Sequence, residues 1–156
     1  MSESEHPVEA LEHGHVSLTQ SIDKLKSERD ALREQGASRA ALLDTLETIS
    51  ESLFEHFARE EEGLFPFLLE RLPDRKDDID EMLQAHDRIC GAASRLVSKL
   101  RITEGTQDPQ LLESLLDRFA ETYTQHSQRE ILFLRSVNEQ LSADERKSLS
   151  KLLRAL

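Results

Sequence analysis

The sequence predicts an all-α protein, an up-down-up-down antiparallel four-helix bundle with a short C-terminal fifth helix. Glycine, proline and aromatic residues are scarce, whereas leucine, alanine, glutamate, arginine and serine dominate, which is typical of helical proteins. Apolar residues recur at steps of three and four along four long stretches, which indicates amphipathic helices. Short breaks separate these stretches, and short loops favour antiparallel neighbours.

The first half of the chain contains two of the predicted helices. The first begins at Pro7, a residue suited to an early helical position, and stops near Gly36. Ser38 can cap the second helix, which Pro66 is expected to bend and Pro73 to end. The apolar stripes are Val8, Leu11, Leu18, Ile22, Leu25 and Leu32 in the first helix, and Leu42, Leu46, Ile49, Leu53, Leu64 and Phe67 in the second.

The second half contains the other two long helices and the short one. Gly105 ends the third helix, and Pro109 provides the first turn of the fourth. Ser142 and Glu145 resemble a capping box that opens the fifth helix over residues 143–155. The apolar stripes are Ile79, Leu83, Ile89, Ala93, Leu96 and Leu100 in the third helix, and Leu112, Leu115, Leu116, Phe119, Tyr123, Phe133 and Val137 in the fourth.

Length and charge narrow the class of protein. A chain of 156 residues is expected to form one domain over residues 1–156, with its core bundle over about 8–138. The net charge of −11 argues against nucleic acid as a partner. No run approaches the ~18 apolar residues of a membrane span, and residues 1–7 are acidic and polar, unlike a signal peptide. We therefore expect a cytoplasmic protein that binds neither nucleic acid nor membrane.

Six polar residues interrupt the apolar stripes: one histidine in each long helix, and one glutamate four residues after the second and the fourth histidine. They are His15, His56, Glu60, His86, His126 and Glu130. Each histidine–glutamate pair spans about 6 Å along one helix face. The two histidines are 41 residues apart in the first half and 40 in the second, so the chain looks like two copies of one hairpin. Antiparallel packing then brings the histidines to similar heights around a pseudo-twofold axis.

These six residues predict a metal site. Buried carboxylates are costly unless they are compensated, and a set of six inward ligands is better explained by cations than by hydrogen bonds alone. Six ligands suit two ions, each with two histidines, bridged by Glu60 and Glu130. Nitrogen and oxygen ligands without thiolate suit iron or manganese, and imidazole also accepts zinc. We predict two iron ions with a bridging oxo or hydroxo group, because each ion then keeps an open position where O₂ or NO binds.

The segment HFAREEEGLFP at residues 56–66 resembles the HFxxEExxLFP signature of the hemerythrin family, in its HHE-type bacterial branch. The order of residues along the chain, H…HxxxE…H…HxxxE, points the same way, whereas ferritin-like di-iron proteins place the glutamate before the histidine. The resemblance covers roughly residues 8–138. It implies a non-haem di-iron four-helix bundle in which the four histidines are terminal ligands and the two glutamates are bridges.

Two departures separate the chain from the oxygen-carrying hemerythrins. Those carriers have a fifth histidine one turn after the third-helix histidine, where this chain has Cys90. They also place an aspartate five residues after the last histidine, where this chain has Glu130 at four residues. The chain is therefore more similar to the symmetric four-histidine, two-glutamate subgroup, which is linked to nitric oxide, oxidative stress, iron handling and iron–sulfur cluster repair.

Further side chains adjoin the predicted site. Cys90 lies one turn beyond the third-helix histidine, either as a small hydrophobe or as a weak ligand or redox-sensitive thiol. Tyr123 lies one turn before the fourth-helix histidine, either as a core ring or as a group that ligates the metal or hydrogen-bonds an oxygen ligand. Glu61 and Glu62 are expected on a solvated face. The phenylalanines expected in the core are Phe54, Phe57, Phe65, Phe119 and Phe133.

The sequence leaves three functions open. In the first, the reduced site binds O₂ or NO and senses or buffers it during oxygen, nitric oxide or oxidative stress. In the second, the protein is an enzyme that reduces NO, breaks down peroxide or delivers iron during iron–sulfur cluster repair. In the third, the bundle acts through a protein partner that the sequence does not identify, and metal is structural or absent. The lack of an obvious general acid or base beside the ligands favours the first.

Overall fold

A computed structural model describes the backbone of residues 7–35, 39–102 and 109–155, and the side chains of residues 16–30, 40–102 and 110–154. Every regular element in these ranges is helical. A π-helical turn at Glu60–Leu64 and a 3₁₀ turn at Pro73–Arg75 link the helices of the middle region. The helices are α1 (Pro7–Gln35), α2 (Arg39–Arg59), α3 (Phe65–Arg71), α4 (Lys76–Arg101), α5 (Pro109–Gln140) and α6 (Ala143–Ala155).

The four long helices form a bundle, which confirms the predicted all-α class. Helix α1 packs against α2 and α5, and α4 packs against the same two helices. Consecutive long helices are therefore neighbours around a closed ring, as in an up-down-up-down bundle. The short α6 packs against α1 and the π turn. The predicted cap at Ser38 lies outside the described residues.

The core of the bundle consists of two apolar clusters with a polar layer between them. On α4, for example, Met82 belongs to one cluster and Ile89 to the other, and the buried His86 lies between them. The first apolar cluster contains Leu18, Ile22, Leu25, Leu42, Leu46, Ile49, Leu53, Phe57, Ile89, Ala93, Leu96, Leu100, Leu116, Phe119, Ala120 and Tyr123. The second apolar cluster contains Leu64, Phe65, Phe67, Leu68, Ile79, Met82, Phe133, Leu134, Val137, Leu141 and Leu149. Each fully buried leucine or phenylalanine contributes roughly 1.5–3 kcal/mol before chain entropy is subtracted.

The prediction of a core position for Phe54 is wrong, because 47 % of this residue is exposed. Leu53 and Phe57 occupy the inward face of α2 and are buried. Since each residue of a helix turns by about 100°, the position after Leu53 faces outward. The other phenylalanines that were expected in the core, Phe57, Phe65, Phe119 and Phe133, are buried.

Helix α6 begins with the predicted capping box. The backbone N–H of Ser142 donates to Glu145 Oε1 at 2.9 Å, and the N–H of Glu145 donates to the Ser142 hydroxyl at 3.1 Å. The guanidinium of Arg146 donates to the carbonyl of Asn138 in α5, and Leu149 is fully buried in the second apolar cluster. Helix α6 therefore closes the end of the bundle that holds the second apolar cluster.

Glu145→Gln is expected to destabilise the protein at neutral pH but not in acid. The hydrogen bond from the Ser142 backbone is the main cause that lowers the Glu145 pKa below its ordinary value of 4.5, and Arg71 adds to it. Because the folded-state pKa is lowered, the stabilisation is present above the ordinary pKa and is lost as the pH falls through the folded-state pKa. Urea unfolding at neutral pH and in acid measures the difference, with the exposed Glu139→Gln as control. An equal loss of stability at both pH values would contradict this assignment.

Candidate metal centre

The polar layer begins where α2 passes into the π turn. Glu60 is the first residue of that turn, and its carbonyl accepts the N–H of Phe65, five residues on, which is the π-helical pattern. In a regular α-helix the Pro66 ring would meet the carbonyl of residue 62 and leave it without a donor. The wider turn directly before Pro66 avoids this conflict. Where the sequence predicted a bend at Pro66, the structure has a π turn that carries a candidate ligand.

Five of the predicted ligands meet in the polar layer, each with at most 8 % of its surface exposed. His56 Nε2 lies 3.1 Å from Glu60 Oε1, and His126 Nε2 lies 2.5 Å from Glu130 Oε2. His86 Nε2 lies near both carboxylates, at 3.6 Å from Glu60 Oε1 and 3.3 Å from Glu130 Oε2. Helix α4 thus supplies an imidazole that lies between the two histidine–glutamate pairs.

The sixth predicted ligand, His15, belongs to α1, but its side chain lies outside the described residues. The backbone of α1 packs against α2, which carries His56 and leads into the π turn with Glu60, and against α5, which carries His126 and Glu130. The role of His15 stays a prediction.

The five described side chains form two overlapping groups. One group contains His86, His126 and Glu130, and the other contains His56, Glu60 and Glu130. Within each group the candidate ligand atoms lie within 4.8 Å of one another, close enough to hold one metal ion. Glu130 belongs to both groups, which is the position that a bridging carboxylate would take.

The surroundings of Glu60 suit a cation. Its side chain is fully buried, and among the described residues no donor makes a hydrogen bond to either carboxylate oxygen, even though His56 Nε2 lies 3.1 Å away. A buried carboxylate without hydrogen bonds is strongly unfavourable unless a cation compensates it. Imidazole nitrogens and carboxylate oxygens without thiolate are donors that suit iron or manganese. The residues therefore fit a pair of divalent metal ions.

Aromatic rings border the cluster on the side of His86. The Phe57 ring stacks on the His86 imidazole, with 3.7 Å between centroids and 10° between planes. The Phe65 ring lies 5.7 Å from the same imidazole at 25°. Both phenylalanines are buried, so they restrict the orientation of His86 and limit the access of water, in agreement with the predicted apolar surround.

The prediction of a solvated face holds for Glu61 only in part, since 37 % of its side chain is exposed but the carboxylate also contacts His86. Glu61 Oε1 lies 3.4 Å from His86 Nδ1, and the side chain is half-buried, whereas Glu62 is exposed. Burial raises the pKa of the Glu61 carboxyl, and the negative charges of Asp87, Glu60 and Glu62 raise it further. A helical wheel places Glu61 about 100° from Glu60, but only the packing of α4 beside α2 shows that His86 occupies that direction.

Tyr123 is fully buried in the first apolar cluster. Burial raises the pKa of its hydroxyl, hydrogen bonds with Ser127 and Thr19 oppose that rise, and the negative charge of Glu60 adds to it. The ring is therefore a core ring, as one interpretation of the sequence predicts. Its hydroxyl is bonded to neighbouring hydroxyls and lies close enough to Glu60 for the two charges to interact. Metal ligation by Tyr123 stays a prediction.

Cys90 is half-buried and packs against the first apolar cluster. Burial raises the pKa of the thiol to about 11, and the charges of Glu61 and Asp87 contribute. The thiol is therefore neutral at neutral pH, and neither of the two described ligand groups contains it. Of the two interpretations of Cys90, the small hydrophobe is favoured.

We expect Cys90 in the metal-free protein to react slowly with iodoacetamide at neutral pH and faster as the pH approaches about 11. The reason is that the thiolate is the nucleophile, and its population follows the raised pKa. Mass spectrometry of the labelled chain measures the rate. The control is the urea-unfolded chain, in which the thiol pKa is about 8.5. Labelling of the folded protein as fast as the unfolded chain at neutral pH would contradict the buried, neutral thiol.

A helical bundle with a buried layer of histidines and glutamates defines a metal-binding four-helix protein. The family model of the hemerythrin HHE cation binding domain matches residues 6–135. The chain therefore belongs to the hemerythrin HHE family, whose domains bind metal ions, usually iron. No curated protein and no solved structure matches the chain. None of the helices in the described ranges has the length and apolar character that a bilayer crossing requires.

Proposed function

We propose that this protein is a cytoplasmic non-haem di-iron protein that binds O₂ or NO in a response to oxygen, nitric oxide or oxidative stress. The observation that carries the proposal is the pair of overlapping ligand groups that share Glu130. Membership of the hemerythrin HHE family supports iron as the metal. His15 is proposed as the sixth ligand, so that each ion has two imidazoles.

The described ligands divide naturally between two ions. One ion would take His86, His126 and Glu130, and the other would take His56 and Glu60 with Glu130 as the shared carboxylate. A ferrous pair held in this way, with an open coordination position, supplies the chemistry that takes up a diatomic molecule such as O₂ or NO. The chain itself supplies the buried ligands and the apolar surround, since Phe57 is packed on the cluster.

The surroundings of the cluster favour binding over turnover. The thiol of Cys90 is neutral at neutral pH because burial raises its pKa. The hydroxyl of Tyr123 is hydrogen-bonded with Ser127 and Thr19. The raised pKa makes the Cys90 thiol a weak acid and a weak nucleophile, and the Tyr123 hydroxyl is already engaged by neighbouring hydroxyls, so we expect stoichiometric uptake of the gas.

Anaerobic reconstitution with Fe(II), followed by separate titrations with NO and O₂, tests the proposal. We expect about two irons per chain and an absorption change that saturates at a fixed ratio of gas to protein. His126→Ala should abolish the change, whereas its exposed neighbour Gln125→Ala should retain it.

Each other result of this experiment has a definite meaning. An iron-loaded protein whose spectrum responds to neither gas would overturn gas binding. Continuous consumption of NO would support the enzymatic alternative instead. Iron content near zero after reconstitution would favour the third function, in which the bundle acts through a protein partner.

A further inference from the structure

We propose that Glu61 is a positioning residue for His86 and that it makes the two metal positions unequal. The inference rests on the proposed di-iron site and concerns the order in which the two ions bind and the reduction potential of each. Under it, the ion held by His86, His126 and Glu130 binds more tightly than the ion held by His56 and binds first.

The two ring nitrogens of His86 face two different carboxylates. Nε2 points into the polar layer, 3.3 Å from Glu130 Oε2, whereas Nδ1 lies 3.4 Å from Glu61 Oε1. When Nδ1–H donates to Glu61, the lone pair of Nε2 faces the ligand cluster, which is the tautomer that a metal requires. The side chain of His86 is 2 % exposed, and Phe57 stacks on its ring. Glu61 therefore selects the tautomer of an imidazole that is already held in place.

The two halves of the chain differ at the positions next to their ligands. Glu61 follows the bridging glutamate of the first half, and Ile131 follows that of the second half. Likewise Asp87 follows the histidine of α4, and Val16 follows the histidine of α1. The charge of Asp87 acts on the Glu61 carboxylate. Both positions around His86 are thus acidic, whereas both equivalent positions are apolar.

This difference in charge acts on the bound ions. A carboxylate that accepts the N–H of a ligating imidazole raises the basicity of the imidazole and fixes its orientation, and its loss costs about 10–100-fold in metal affinity. A negative charge next to one of two cations also stabilises the higher oxidation state of that ion. The pseudo-twofold arrangement of ligands therefore holds two ions of different affinity and different reduction potential.

Stepwise Fe(II) binding under anaerobic conditions, measured by competition with a chelator, tests the inference. We expect two separate affinities for the wild type. Glu61→Ala should weaken the tighter step about 10–100-fold and leave the other unchanged, and Glu61→Gln, which keeps an oxygen acceptor but no charge, should fall in between. The midpoint potential of the reconstituted Glu61 variants should rise. Glu62→Gln is the matched control, because Glu62 is adjacent and exposed.

The outcomes separate this inference from the proposed function. Two irons bound with equal affinity by the wild type, or unchanged affinities and potential in both Glu61 variants, would overturn the positioning role and leave the di-iron site intact. An equal effect of Glu62→Gln would overturn it as well, since the contact with His86 would then not be the cause. A wild type that binds no iron would overturn both. Because Glu61→Gln is close in size to the natural residue, it tests the charge without disturbing the packing.

Discussion

Glu130→Ala is expected to remove both iron ions from the reconstituted protein. Glu130 is fully buried and is the member that the two ligand groups share. Its loss leaves each group with two of its described ligands and removes a negative charge that compensates both cations. We expect the iron content to fall from about two per chain to near zero, measured by elemental analysis after anaerobic reconstitution and desalting.

Glu139→Ala is the matched control, because Glu139 lies on the same helix and is exposed. It should retain both irons. Circular dichroism should show that Glu130→Ala stays helical, since the two apolar clusters are untouched. Retention of one iron by Glu130→Ala would contradict the bridging role, and retention of both would show that the ligand assignment is wrong.

Glu60→Met is expected to stabilise the metal-free protein while it abolishes the binding of the iron pair. Glu60 is fully buried and accepts no hydrogen bond from a described residue, so without a cation its carboxylate is unfavourable in the folded state. A buried acceptor that lacks a hydrogen bond costs about 1–3 kcal/mol, and methionine adapts well to an irregular space. We expect the free energy of unfolding of the metal-free protein to rise by an amount in that range.

Urea unfolding with and without Fe(II), under anaerobic conditions, checks this result. The wild type should gain stability from iron because the metal binds the folded state, whereas Glu60→Met should gain none. Glu55→Met, at an exposed position on α2, should leave the free energy of unfolding unchanged both with and without Fe(II). A metal-free Glu60→Met protein that is less stable than the metal-free wild type would show that the folded protein already compensates the buried carboxylate by other means.

Apolar periodicity was sufficient to predict the bundle, because a packed helix buries every third or fourth residue regardless of its partner. Leu46, Leu53, Ile89 and Phe119 are buried where their stripes require it. The same periodicity placed the polar interruptions on inward faces, and His56 and the other four described members of the set are indeed buried together. The side chain of His15 lies outside the described residues, so that part of the predicted set remains untested.

Features that depend on contacts between helices could not be derived from periodicity. The Glu61 carboxylate has a neighbour only because the packing of α4 places His86 beside it. The π turn depends on how the chain relieves the conflict at Pro66, for which the sequence indicated a bend but not its form. Phe54 shows the opposite error: an aromatic residue next to a core position was assigned to the core although it is exposed.

Because a polar layer divides the core, we expect the two ends of the metal-free bundle to open separately. We expect the second apolar cluster, which includes Leu149 of α6, to open as one unit and the first apolar cluster as another. Ions bound to ligands from α2, α4 and α5 would fasten the two units to each other across the layer. Loss of metal would then be detected in the amide hydrogen exchange of α6, which supplies none of the described ligands, as a local loosening rather than as global unfolding.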